Sequence, residues 1–284
     1  ESRSTAASDV NKRQVIIDPW SRATLACHPD TQKETVMDQH SLTDLIRKTI
    51  EQEISTRGLV ALYREPIVGL VAADDPGFAR LSDLTGKAHL APHDLLPGAR
   101  TVACFFLPFA PEAVAANARD RERAAREWAV AYVETNALIG QITARLIDVL
   151  GERGIRVAAE PATGNFDNIT LRSHWSHKSI AVLAGMGSFG LHHMVITDAG
   201  CAGRFGSLVL DAALSIEKAM PKERCEYKVS GACLDCVLAC PVRVADGMRL
   251  VAAGGIVTAL LMLSGAPLMI FTTLVLAFGY GAIA

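Results

Sequence analysis

The chain has 284 residues, a formal net charge of −2 and apolar residues at 50% of its positions. This length allows one large or two modest domains with a full hydrophobic core. The nearly balanced charge lacks the basic excess that tight binding to a nucleic-acid backbone requires, so nucleic acid is not a predicted partner. Seven cysteines, an odd number at low density, argue against a disulfide framework.

The first predicted elements follow a polar start. Residues 1–36 lack the apolar core of a signal peptide, and we expect them to be a disordered or non-native extension. A helix is predicted over 41–56, followed by strands over 67–73 and 101–107. The second strand is apolar almost throughout, which is typical of a strand buried on both faces.

The strongest helical pattern covers 121–151. Its predicted apolar face consists of Trp128, Tyr132, Ile139, Ile142, Leu146 and Leu150. A strand over 155–158, a helix over 173–184 and strands over 194–197 and 207–210 come next. Because helices alternate with strands, we predict an α/β or α+β fold with a covered sheet.

Special side chains and glycines are dense between residues 174 and 207. His174 and His177 are three positions apart and are the candidate catalytic residues, as proton donors in a pocket wall or as a helix cap. Glycine lets the backbone approach a ligand closely, and arginine can hold an anion through a bidentate fork. The candidate cofactor-binding residues are Gly185, Gly187, Ser188, Gly190 and Arg204. The alternatives are a glycine-rich corner between packed elements and an ion pair of Arg204 with a nearby aspartate.

A C-x7-C-x2-C-x3-C-P run gathers four thiols within sixteen residues. Thiolates are the ligands of iron–sulfur clusters, and the bacterial run differs in having two residues in its first spacer. The predicted metal ligands are therefore Cys225, Cys233, Cys236 and Cys240, holding a [4Fe–4S] cluster. A zinc site is the alternative, although zinc sites typically show separated cysteine pairs or Cys/His pairs.

The apolar C-terminal stretch, residues 250–284, contains no charged residue. It is longer than the ~20 residues that span a bilayer, so a transmembrane segment over 249–284 is a candidate. Arg243 and Arg249 precede it and would keep the cysteines on the cytoplasmic side. We expect a cytoplasmic protein, with membrane contact through 250–284 if this tail is genuine.

The glycine-rich segment and the cysteine run together resemble the epoxyqueuosine reductase-like family of iron–sulfur proteins. The likeness is carried by Ala-Gly-Met-Gly-Ser-Phe-Gly-Leu at 184–191, Ile-Thr at 196–197 and Gly-x-x-x-Arg at 200–204. The segment Leu-Leu-Pro-Gly-Ala-Arg-Thr-Val at 95–102 is similar as well. The Asp-x-x-Pro-x-x-Glu-Arg stretch of the tRNA-modifying members has no counterpart here, so the substrate stays open.

The resemblance implies a flavin-reductase-like, corrinoid-type domain over 37–215 and a small ferredoxin-like iron–sulfur segment over 216–248, followed by the apolar tail. It adds a corrinoid (cobalamin) or a flavin to the candidate cofactors. The function it implies is an electron-transfer protein or reductase, with a flavodoxin or ferredoxin as electron donor. A non-catalytic binding or assembly protein with a structural cluster or zinc is the alternative.

Overall fold

A computed structural model describes residues 37–85, 89–119, 123–162, 165–167, 169, 172–217 and 222–240. The predictions for 1–36 and 249–284 lie outside these residues. The helices are α1 Gln39–Thr56, α2 Pro76–Leu84, α3 Pro92–Leu95, α4 Pro111–Ala118, α5 Arg126–Gly151, α6 His177–Leu183, α7 Glu226–Ser230 and α8 Asp235–Leu238. The strands are β1 Ile67–Ala72, β2 Thr101–Pro108, β3 Val157–Ala158, β4 Phe166–Asp167, β5 Arg172–Ser173, β6 Gly187–Phe189, β7 Val195–Thr197 and β8 Gly203–Leu210.

The central sheet has four strands in the order β1-β2-β8-β3, and every neighbouring pair is antiparallel. All eight residues of β2 are buried, as its continuous apolar sequence predicts. The predicted mixture of helices and strands is confirmed, and the antiparallel pairing makes the fold α+β. The proposed division between residues 215 and 216 stays a prediction.

Successive residues of β2 point to opposite faces of the sheet, and each face has its own core. Ala103, Phe105 and Leu107 pack in one core with the apolar faces of α1 and α5. Val102, Cys104 and Phe106 pack in the other, which includes residues of α2 and α6. The sheet is therefore covered on both sides, as predicted.

Helix α5 begins at Arg126, five residues later than predicted. Ile139, Ile142, Leu146 and Leu150 are buried along it, which confirms most of the predicted apolar face. Trp128 is only half-buried against this core, and 44% of Tyr132 is exposed. The Tyr132 ring instead lies under the guanidinium of a residue on β8, as described below.

Helix α6 begins at His177, and not at residue 173, because the chain before it forms β5. The Ser176 side chain caps its first turn by accepting a hydrogen bond from the Ser179 amide. His174 therefore precedes the helix, so the predicted helix over 173–184, which would have placed His174 and His177 on one face, begins too early.

Strands β6 and β7 form a short antiparallel hairpin after α6. In sequence it lies between α6 and the segment 225–240, which contains the four clustered cysteines together with α7 and α8, and it contacts α6. Within the part of the chain that the structure describes, no helix combines the length and the apolar character needed to cross a membrane.

Candidate functional site

A cavity of about 270 Å³ opens where the start of α6 meets the first residues of β8. Segments from across the chain contribute to its wall, including β5 and the end of the loop before β7. The lining residues are Ala162, Asn165, Ser173, Trp175, Ser176, His177, Lys178, Met194, Gly203, Arg204 and Phe205.

His177 is held in this wall by hydrogen bonds at both ring nitrogens. Nε2 lies 3.2 Å from the Pro161 carbonyl oxygen, and Nδ1 lies 2.8 Å from Ser207 Oγ. Because a carbonyl can only accept, Nε2 carries the proton and Nδ1 accepts from the Ser207 hydroxyl. Ser207 Oγ in turn accepts from Trp175 Nε1 at 2.9 Å. The chain of donors fixes one neutral tautomer of His177.

Burial lowers the pKa of His177 to about 4, although the bond to the Pro161 carbonyl opposes this. The positive charge of Arg204 and the proximity of His89 lower the pKa further. His177 is therefore neutral at pH 7. Both of its ring nitrogens are bonded to protein atoms, so His177 adds no positive charge to the cavity wall.

His174 occupies a different environment from His177. It is exposed, its amide donates to the Asn165 carbonyl, and its side chain does not line the cavity. The proposed catalytic role of His174 therefore stays a prediction, and this cavity does not support it.

His89 supports the cavity wall and was not singled out from the sequence. Its Nδ1 donates to the Leu90 carbonyl, and its Nε2 accepts from the Ser176 amide at 3.0 Å. Its ring stacks on Trp175, with 5.5 Å between centroids. Burial lowers the pKa of His89. No local pattern could have indicated this role, because Ser176 lies 87 positions away.

Arg204 is the only one of the five predicted cofactor-binding residues that lines this cavity. The other four, Gly185, Gly187, Ser188 and Gly190, do not line it, and their part in holding a cofactor stays a prediction. Gly185 has a φ of +71° and ends α6, where its amide and that of Met186 bond back to Val182 and Ala181. Gly187 gives room to the facing strand, because a Cβ there would lie 2.3 Å from the Ile196 carbonyl oxygen.

Ser188 joins the β6–β7 hairpin to the segment that carries the cysteines. Its hydroxyl donates to Glu223 Oε1 at 2.7 Å and accepts from the Arg224 amide at 2.8 Å. The Arg224 guanidinium makes two bonds of 3.1 Å to Asp198, which follows β7. These bonds lower the pKa of Asp198. Lys228 also donates to the Phe189 carbonyl. The cysteine segment is thus attached to the hairpin at several points.

Cys225, the first predicted metal ligand, is 7% exposed at the start of α7. Hydrogen bonds from the backbone amides of Lys228 and Leu191 lower the pKa of its thiol. Such bonds stabilise a thiolate, which is the form that binds metal. The Leu191 amide belongs to the hairpin loop, so this loop contacts the cysteine directly.

Cys233, Cys236 and Cys240 lie in or beside α8 as half-buried free thiols. In the described residues, no three His, Cys, Asp or Glu side chains are grouped so that they could hold a metal ion. Cys201 lies near Cys236, and burial raises the pKa of its thiol. The four predicted ligands suit a cluster by their chemistry, and their role stays a prediction.

No protein-family model matches the chain, and no curated protein matches it. Among solved structures, an epoxyqueuosine reductase from Bacillus subtilis is similar, with 18% identity over 69% of this chain and a TM-score of 0.42. An epoxyqueuosine reductase from Streptococcus thermophilus has 15% identity over 69% of this chain and a TM-score of 0.40. A catabolic reductive dehalogenase has 16% identity over 74% of this chain, 30% of its own length and a TM-score of 0.34.

The chain spans about half the length of these epoxyqueuosine reductases, with 52% and 53% of them covered. Because TM-scores below 0.5 are too low to carry an inference, the function proposed below depends on the residues of this chain.

The close approach of β6 and β7 predicts that Gly187→Ala destabilises the protein by about 1–3 kcal/mol, the usual cost of overpacking. Gly140→Ala is the matched control, since Gly140 is exposed on α5 with nothing near its Cβ position. It should stabilise the protein by about 0.5–1 kcal/mol. Urea denaturation of both variants measures the two effects, and equal changes would contradict the structural role of Gly187.

The buried neutral His177 predicts that the protein becomes less stable as the pH is lowered. Between the ordinary histidine pKa of 6.5 and the folded value of about 4, the unfolded chain binds a proton that the folded chain does not. The stability that His177 provides is complete above pH 6.5 and declines toward pH 4, by up to about 3 kcal/mol. Urea denaturation from pH 7 to pH 5 should therefore show a shallower pH dependence for His177→Gln than for wild type. His93→Gln, which removes an exposed histidine, should keep the wild-type slope.

Proposed function

We propose that this chain is an iron–sulfur redox protein, related to the epoxyqueuosine reductases, that passes electrons to a molecule bound in the cavity beside His177. The observation that carries the proposal is the loop between β6 and β7. One and the same loop contacts Cys225 and contributes to the cavity wall.

This loop contacts the cysteine segment on one side and the cavity wall on the other. On one side, the Leu191 amide lowers the pKa of the Cys225 thiol, and the Phe189 carbonyl just before the loop accepts a hydrogen bond from Lys228 of α7. On the other, the His193 carbonyl accepts a hydrogen bond from Lys178 Nζ at 3.2 Å, and Met194 lines the cavity beside Lys178. A cofactor on the cysteines would therefore be separated from the cavity by this short loop. A short separation favours electron transfer between the two sites.

Cys225, Cys233, Cys236 and Cys240 would hold the [4Fe–4S] cluster. The cluster would supply single-electron chemistry, with a potential tuned by hydrogen bonds to sulfur. The chain contributes such bonds at Cys225 and anchors the segment through Ser188 and Arg224. A flavodoxin or ferredoxin is the electron donor that we propose, in the cytoplasm.

The electron acceptor is the second part of the proposal. At about 270 Å³ the cavity falls just below the range of ~300–1,000 Å³ for pockets that enclose drug-sized ligands. A corrinoid or a flavin nucleotide is larger than this, so either could place only part of its ring system here. We therefore assign no residue to these two cofactors, and visible absorption beyond that of the cluster would reveal them.

The test is metal analysis of the full chain, purified and reconstituted without oxygen. We expect about four iron and four sulfide per chain and an electron paramagnetic resonance signal after reduction. Cys236→Ser should lose most of the iron, because it removes a ligand. Cys104→Ala is the matched control: it removes a thiol that is fully buried in β2, and it should keep the iron.

Two outcomes would contradict the proposal. One zinc per chain without sulfide would favour the structural zinc site instead. Equal iron content in Cys236→Ser and Cys104→Ala would remove Cys236 from the ligand set.

A further inference from the structure

We propose that the cavity beside His177 binds a small, partly apolar molecule that carries a carboxylate group, with Arg204 and Lys178 as its anchors. This proposal rests on the proposed function in one respect: the ligand of the cavity would be the molecule that receives the electrons. The inference itself comes from the charges and hydrogen bonds of the cavity wall.

The wall contains two cations and no carboxylate among its described residues. Lys178 donates one hydrogen bond to the His193 carbonyl oxygen, which carries no charge. In the described part of the chain, the Arg204 side chain has no hydrogen bond or ion pair, although the residue is half-buried on β8. A half-buried guanidinium loses part of its hydration, and without a counter-charge no ion pair offsets that cost. An anionic ligand would therefore stabilise it.

The Arg204 guanidinium is held in place by an aromatic ring. Its Cζ lies 4.4 Å from the centroid of the Tyr132 ring, a cation–π contact. This contact forms no hydrogen bond to oxygen, so the guanidinium N–H groups keep their capacity to bind an anion. The guanidinium fork binds a carboxylate through two parallel hydrogen bonds.

Most uncharged polar groups of the cavity wall already have hydrogen-bond partners within the protein. Asn165 Nδ2 donates to the Pro161 and Trp175 carbonyls, and its Oδ1 accepts from the Ser173 hydroxyl. Both nitrogens of His177 are bonded as described above. Recognition of a ligand by hydrogen bonding is therefore left mainly to Arg204 and Lys178.

The remaining wall is apolar and suits the body of the ligand. Ala162, Met194 and Phe205 supply aliphatic and aromatic surface. Small-molecule pockets commonly combine such a surface with a few polar groups that fix the orientation. A cavity of about 270 Å³ fits a single-ring or short-chain acid rather than a dinucleotide.

The probe is 4-fluorobenzoate, observed by fluorine NMR line broadening with the full chain. Its neutral analogue, 4-fluorobenzamide, has the same ring and lacks the charge. We expect broadening for the acid and little or none for the amide. Inorganic phosphate is titrated in parallel at constant ionic strength, because a phosphate-bearing ligand would use the same two cations. Binding of phosphate without binding of the benzoate would overturn the carboxylate assignment.

Three variants test the anchors. Arg204→Gln should weaken binding of the benzoate about 10- to 100-fold, the loss expected for charge-assisted hydrogen bonds. Arg204→Lys keeps the charge without the fork and should bind with an intermediate affinity. Lys178→Gln should weaken binding as well, and this partly exposed position carries little risk to folding. Arg80→Gln removes an exposed cation on α2, which is outside the cavity wall, and should bind like wild type.

Equal broadening by the acid and the amide would overturn the proposal, as would no broadening at all or equal losses in Arg204→Gln and Arg80→Gln. Iron analysis of the wild-type chain separates this proposal from the preceding one, and Cys236→Ser should bind 4-fluorobenzoate like wild type because Cys236 does not line the cavity. If the wild type lacks iron but still binds 4-fluorobenzoate, the carboxylate site stands and the iron–sulfur function fails. If iron is present and the benzoate does not bind, the reverse holds.

Discussion

Burial of β2 on both faces is the constraint on which the rest of the structure depends. Its side chains alternate between two cores, and each large apolar side chain removed from water contributes about 1.5–3 kcal/mol. One face therefore needs α1 and α5, and the other needs α6 and its neighbours. Because β8 pairs with β2 along its whole length, the same burial fixes the register of Arg204 and Ser207. The cavity forms where these residues meet the start of α6.

Around the cavity, buried polar groups are paired with one another. Trp175, Ser207 and His177 form a chain of hydrogen bonds that ends on the Pro161 carbonyl. A buried polar group without a partner costs about 1–3 kcal/mol, so this chain keeps each member in one orientation. Arg204 differs, because its guanidinium lies over an aromatic ring and has no anionic partner among the residues that the structure describes. The contrast points to a ligand rather than to a structural ion pair.

The β6–β7 hairpin lies between the two parts of the proposed function, the cysteine segment and the cavity beside His177. Its glycines allow the strands to approach and the preceding helix to end, while Ser188 and Asp198 bind the segment that leads to Cys225. The glycine-rich string could be found from the sequence, but its role could not. The same residues could equally have cradled a ligand, since glycine favours close approach of any kind. The residue that lies against Gly187 is Ile196, and this contact depends on the pairing of β6 with β7.

The sequence by itself determined the elements with strong local signals. These are the continuous apolar run of β2, the periodic face of α5 and the spacing of the four cysteines, all of which involve residues close together in the chain. Only the tertiary structure decided the cavity. His89 reaches Ser176 across 87 positions, Ser207 reaches Trp175 across 32, and Tyr132 of α5 meets Arg204 of β8. Such partners are brought together by the packing of helices on the two faces of the sheet, and local patterns do not encode which side chains then meet.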